Sequence, residues 1–177
     1  PPVHIITFGS PCTDMSVAGK RAGLDGSQSV LFHEAIRIVR EMREATNGAY
    51  PRFICWENVP GAFSSHGGED FKAVLDAVVQ IACPEAEVPA PPNGKWPCAD
   101  VLLGDGWSVA YRTIDAQYFG VAQRRRRIYL VADFAGECAG EILFERESVS
   151  GDSASSCAER QGAAGDAGTG ASSAVGF

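Results

Sequence analysis

One stretch constrains the fold of this chain more than any other: His4-Ile5-Ile6-Thr7-Phe8-Gly9-Ser10-Pro11-Cys12. Ile5 to Phe8 is β-branched and aromatic, the composition of a buried strand, and a Gly-Ser-Pro turn ends it abruptly. Gly9 lets the backbone bend and come close to a ligand. Pro11 fixes its own φ and holds Ser10 extended. In open α/β sheets, ligands bind beyond the carboxyl ends of the strands. Cys12 is therefore a candidate nucleophile, to be weighed against a thiol that merely packs in a core. The following residues, 13–26, are polar, hold three glycines and lack any helical or strand period. Loops of that length are commonly functional or disordered.

A second strand follows one helix later. Residues 30–43 place Leu31, Ala35, Ile38, Val39 and Met42 on one helical face, with charges opposite and Asn47-Gly48 as the C-cap. Phe53-Ile54-Cys55-Trp56 then reads as a buried strand that delivers Glu57 and Asn58 to a Pro-Gly turn. Strand, crossover helix and strand make a right-handed parallel βαβ unit. Cys12 and Glu57 then share one edge of one sheet. A carboxylate straight after an apolar strand is costly to bury unless it is paired or used.

Residues 71–81 predict a second amphipathic helix, with Phe71, Val74, Leu75, Val78 and Ile81 inward and acids in the opening turn. Residues 83–107 are rich in proline and glycine and read as a surface excursion, in which Lys95-Trp96-Pro97 either packs or touches a partner. Trp107 to Ile114 alternates as a strand. After a turn region, Gln123-Arg124-Arg125-Arg126-Arg127 abuts the strand Ile128-Tyr129-Leu130-Val131-Ala132. A solvated basic loop is the ordinary reading of such a run. Because it enters a strand without a spacer, alternate arginines must point opposite ways, and at least one is aimed at the sheet edge.

Three segments, Gly9-Ser10-Pro11-Cys12 with Ser16 and Gly19-Lys20, Glu57-Asn58-Val59, and Gln-x-Arg-x-Arg at Gln123 to Arg127, resemble ordered motifs of the DNA cytosine-5 methyltransferases. The resemblance runs over residues 3–134. It departs from the family at Thr13, where glutamine is usual, and at Ala122, where proline is usual. It implies an α/β, Rossmann-like class I S-adenosylmethionine-dependent methyltransferase fold, incomplete, with a parallel sheet and flanking helices. It implies that Cys12 attacks C6 of a cytosine flipped out of double-stranded DNA, that Glu57 assists at N3, and that Arg127 holds O2. Arg125 supports that site or contacts phosphate. Ser16 and Gln123 would contact DNA. Pro11 and Leu31 would border S-adenosylmethionine, which supplies the methyl group for C5. The family's glycine-rich cofactor loop lies on an earlier strand outside this sequence, so the chain alone is expected to bind that cofactor weakly.

Composition limits the alternatives. A net charge of -7 looks unsuited to DNA, but residues 133–177 carry -6 of it and residues 1–132 only -1, so a local basic footprint is compatible. Residues 1–144 are expected to form a partial catalytic domain, and the Gly/Ala/Ser-rich residues 145–177 a flexible tail or linker. Gly165 to Gly170 follows no strand and is not read as a nucleotide loop. No apolar run reaches membrane-spanning length and no leader is evident, which points to the cytoplasm of a prokaryotic or phage-infected cell. Six scattered cysteines form no CxxC pair, and no histidine has zinc-ligand spacing, so reduced thiols without a metal are expected. The absent H-x-E and P-C-x-x-C signatures exclude a zinc nucleobase deaminase. Three other readings stay open: a non-catalytic fragment that binds DNA or a complementing chain, a cytosine-5 methyltransferase acting on RNA, and a cysteine hydrolase using Cys12 with His33 or His66 and Asn58.

Overall fold

A computed structural model describes residues 1–9 and 30–144 of the 177. The expected tail over 145–177 lies outside the described residues. In chain order the elements are β1 (Ile5–Gly9), α1 (Val30–Ala45), β2 (Phe53–Asn58), a 3-10 segment (Pro60–Gly68) and α2 (Glu69–Ala82). They continue with β3 (Ala99–Gly104), β4 (Trp107–Asp115), β5 (Arg126–Asp133) and α3 (Ala139–Leu143). The five strands form one sheet in the order β1-β2-β5-β4-β3.

The α/β, Rossmann-like class holds, and the crossover pair is parallel: Ile5 lies opposite Phe53 and Gly9 opposite Glu57. The rest of the sheet departs from the parallel arrangement expected, since β2–β5, β5–β4 and β4–β3 are all antiparallel. The reason lies in the connections. β3 and β4 are joined by Asp105-Gly106 alone, with Gly106 at φ 74°, and a two-residue link permits only a hairpin. The link from β4 to β5, residues 116–125, is also shorter than a parallel crossover needs.

β3 falls inside the stretch read as a surface excursion, so that reading is corrected there. The Asp-Gly turn between two alternating runs was its available signal. Gly104 faces Trp107 across the hairpin, and a Cβ there would come within 2.0 Å of the indole. Trp96 packs instead of facing a partner: its Nε1 donates to the Gly68 carbonyl at 2.8 Å, and its ring meets Phe71 edge-on.

Alternation along β2 separates two faces. Ile54, Trp56 and Asn58 are buried on one, while Phe53, Cys55 and Glu57 are half-buried on the other. The first face carries the core. Rings of Phe8, Phe32, Trp56, Phe71 and Tyr111 meet in succession at centroid separations of 5.0–6.3 Å. Each ring buried there removes about 150–250 Å² from water, worth about 4–6 kcal/mol of transfer free energy at 25 cal/mol per Å². Helix α2 buries Phe71, Val74, Leu75 and Val78 as the sequence predicted. Helix α1 turns differently: Phe32, Ile36 and Val39 are buried, whereas Leu31 and Ile38 are exposed. Two apolar stripes run side by side on this helix, and the one bearing Phe32 faces the core because its ring engages Phe8 and Trp56.

The second face is covered by the short α3, through Ala139, Leu143 and Phe144 against Cys55, Ala110 and Val131. A bidentate ion pair clamps one end of this face. Arg52 donates through Nε and Nη2 to the fully buried Asp133 carboxylate, both at 2.9 Å. The Ala135 and Cys138 amides also donate to that carboxylate. Burial pushes the Asp133 carboxyl up, but the hydrogen bonds from Arg52 and the two amides outweigh it and hold the group below the usual range. A depressed folded-state pKa adds stability that is present above the unfolded value and lost as pH falls through the folded one. Asp133→Asn is expected to destabilise the chain by about 3 kcal/mol in urea unfolding at pH 7, the low end for a broken buried pair because Arg52 is 39% exposed. The variant should also lose less stability than the parent below about pH 4, where an Asp133 carboxyl would be taking up its proton.

Candidate active site

The parallel register sets the site. Gly9 ends β1 opposite Glu57, and a Cβ on Gly9 would lie 3.3 Å from Glu57 Oε2. The absent side chain thus leaves room for the carboxylate beside the end of β1. Cys12 is three residues further along the sequence. Cys12, Pro11 and Ser16 lie outside the described residues.

The antiparallel pairing of β2 with β5 brings the third group. Asn58 is opposite Ile128 and Glu57 opposite Tyr129, so Arg127 emerges just past the end of β2. Arg127 Nε lies 2.9 Å from Glu57 Oε1, an ion-pair contact. Its Nη1 donates to the Arg126 carbonyl at 2.8 Å, which fixes the guanidinium plane. The pair is neither bulk-exposed nor sealed, with side-chain exposures of 22% for Arg127 and 32% for Glu57. Alternation does for the arginine run what the sequence predicted: Arg126 is exposed and Arg127 turns onto the sheet face that bears Glu57.

The remaining candidates are distributed around this pair. Arg125 and Gln123 are exposed in the connection that enters β5, and the Arg125 amide donates to Asp115 Oδ1 at 3.1 Å. Leu31 is 56% exposed at the first turn of α1. Asn58 alternates onto the buried face, where its Oδ1 accepts the Val59 amide. It is therefore turned away from Glu57, and His66 is engaged with Asp70 at 3.1 Å. His33 lies exposed on α1, with its ring against Phe32. The hydrolase grouping of His33 or His66 with Asn58 is not assembled on the face that carries Glu57.

Cys55 sits two residues before Glu57 on the same face. Burial pushes its thiol up, and the Glu57 charge adds to that, so Cys55 is held in the protonated, unreactive form. Cys55, Cys83, Cys98 and Cys138 are all free thiols. Among the described residues no group of three or more His, Cys, Asp or Glu side chains is arranged to hold a metal ion. No helix among them is long and apolar enough to cross a membrane.

Sequence reasoning missed two residues. Gly9 was read as a bend, yet its lack of a side chain also admits Glu57. Asp115, placed in a turn region, is the carboxylate that closes the β4–β5 connection; an Asp at a strand end followed by a glycine-bearing turn was its available signal.

The model of the C-5 cytosine-specific DNA methylase family matches residues 1–81. The DNA N-6-adenine-methyltransferase of Escherichia phage P1 is 32% identical over 165 residues, 82% of this chain and 22% of that protein. Type II methyltransferase M.AquIA of Picosynechococcus sp. is 30% identical over 135 residues, 76% of this chain and 45% of that protein. The Dnmt2 methyltransferase of S. pombe superimposes with a TM-score of 0.44 at 18% identity, covering 84% of this chain and 37% of that one. The chain thus spans less than half the length of these relatives. The family match over residues 1–81 takes in both Gly9 and Glu57, and over that span the chain is similar to the C-5 cytosine-specific DNA methylases.

Proposed function

We propose that this chain carries the catalytic segment of a DNA cytosine-5 methyltransferase. One observation carries the reading: the 2.9 Å pair of Glu57 and Arg127 beside Gly9, three residues before Cys12. N3 and O2 of cytosine are adjacent atoms on one edge of the ring. An acid and a guanidinium already within hydrogen-bond distance of each other suit that edge.

In this reading the target cytosine is extruded from duplex DNA. The Cys12 thiolate adds to C6, forming an S–C6 bond and pushing electron density onto C5. Glu57 in its acid form donates at N3 as that density shifts. Arg127 donates to O2, where negative charge also develops. S-adenosylmethionine, when bound, supplies the electrophilic methyl for C5; Leu31, apolar and exposed at the start of α1, is the described residue that would pack against it, and the family resemblance adds Pro11. Loss of the C5 proton then returns electrons to the ring and expels the Cys12 thiolate. Arg125, Gln123 and Ser16 would hold the DNA backbone. Cys55, kept protonated, does not compete as nucleophile.

A second reading has one specific support: the phage P1 relative is named as an adenine N6 enzyme. An exocyclic amine attacks a methyl donor directly and needs neither a cysteine adduct nor an acid–guanidinium pair on a carbonyl edge. The two readings therefore separate on covalent trapping. Duplex DNA carrying 5-fluorocytosine should become attached to the protein through Cys12, because fluorine cannot leave C5 as a proton does. If methyl transfer needs more polypeptide than these 177 residues, the same trap is run with the complementing polypeptide present. The adduct should vanish in Cys12→Ser. No adduct in either setting, or methylated adenine in the digested product, would overturn the cytosine assignment. Glu57→Gln and Arg127→Gln should each slow adduct formation by about a hundredfold, read by denaturing gel against time.

A further inference from the structure

We infer that the β4–β5 connection, residues 116–125, is a DNA-contacting projection. Phe119, with Tyr118 and Val121, lies against base or sugar surface beside the target nucleotide, and Arg124, Arg125 and Arg126 take flanking phosphates. This rests on the DNA-modifying reading above and adds residues to it.

The first observation is an exposed apolar patch. Tyr118 is 50% exposed, Phe119 59% and Val121 48%, consecutive or nearly so along the chain. Large apolar side chains grouped in the open mark an interaction site more often than a chance surface. The second observation is charge. Residues 116–127 hold four arginines and no acid. Of the four, Arg127 is paired with Glu57, while Arg124, Arg125 and Arg126 are exposed and, among the described residues, form no ion pair with a carboxylate. An apolar protein surface would cover the rings but leave guanidinium groups without partners. A nucleic-acid strand offers phosphates to the arginines and π faces to the aromatic rings at once.

The third observation is that the projection is built. Asp115, 9% exposed at the end of β4, holds both of its ends. Its Oδ1 accepts the Gln117 and Arg125 amides at 3.3 and 3.1 Å, and its Oδ2 accepts Gln117 Nε2 at 3.1 Å. The Ala116 amide donates to the Arg125 carbonyl at 3.0 Å and closes the base. Gly120 at φ 78° makes the turn that carries Phe119 past the end of the strands. A segment ordered in advance gives up little entropy when a partner arrives. Its placement fits as well, because β5 leaves it at Arg126 and the next residue is Arg127. The patch therefore stands at the sheet end that holds Glu57.

The test measures binding of the full chain to a fluorescein-labelled DNA duplex with a cytosine opposite an abasic site, by anisotropy across a salt series. A matching RNA duplex and the 5-fluorocytosine trap are run in parallel. Phe119→Ala should weaken DNA binding about tenfold, and Phe119→Tyr should keep it. Arg124→Gln should weaken binding on every sequence and lower the slope of log affinity against log salt by about one. Both positions are exposed, and circular dichroism should show the variants folded. Unchanged DNA affinity in both Phe119→Ala and Arg124→Gln, with the Cys12 adduct still forming, would overturn this inference alone. Weakened binding in the variants without any adduct would leave the projection a DNA contact and remove the cytosine chemistry. A loss seen only with RNA, or no DNA bound by the unaltered chain, would overturn the assignment of DNA as the partner.

Discussion

The parallel pairing of β1 with β2 is the constraint on which the site depends. Strand side chains alternate, so a register slip of one residue would send Glu57 to the face where Trp56 is packed, and Trp56 to the open face. That exchange would bury a carboxylate among Phe32, Phe71 and Tyr111 and expose an indole. Each change alone costs several kcal/mol. The aromatic core therefore does more than hold the sheet together. By fixing which residues of β2 are inward, it fixes Glu57 outward, opposite Gly9 and within reach of Arg127.

The sheet face that bears α3 carries two arginine–carboxylate pairs at opposite ends, and they are unlike in kind. Arg52 and Asp133 meet in a bidentate fork, with Asp133 fully buried and two amides completing its hydrogen bonds. Such a pair is satisfied throughout and is expensive to break from one side. Glu57 and Arg127 meet in a single ion-pair contact, with both partners about a quarter to a third exposed. The first pair suits a structural clamp. The second leaves lone pairs and N–H groups to offer elsewhere.

Much of this was legible because strand alternation and turn chemistry act locally. The run Phe53 to Trp56, the amphipathic α2 and the strand after the arginines all have periods that a sequence displays. What was not legible depended on tertiary choice. Helix α1 carries two adjacent apolar stripes, and only the rings of Phe8 and Trp56 decide that Phe32 goes inward and Leu31 stays out. Strand β3 was hidden by the prolines before it, although its Asp-Gly hairpin turn was present. The antiparallel half of the sheet followed from connection lengths that became meaningful once β3 was recognised. Residues Pro11, Cys12 and Ser16, the proposed nucleophile and its neighbours, lie outside the described part of the chain.

The weakness of the Glu57–Arg127 pair is itself consistent with use. A partly exposed ion pair with one N–O contact contributes about 0–1 kcal/mol, since solvent screens it and two side chains must be held in place. In the proposed chemistry, a nucleobase edge that presents an acceptor to the guanidinium and another to the acid form of the carboxyl would replace that contact at little net cost. A bidentate pair whose carboxylate is fully buried, like Arg52–Asp133, could not be opened so cheaply. The difference between the two ends of one sheet face then has a physical reading. One end holds a buried carboxylate in a two-pronged fork with two amides completing it, and the end proposed to exchange partners keeps its charges near, oriented and only lightly held.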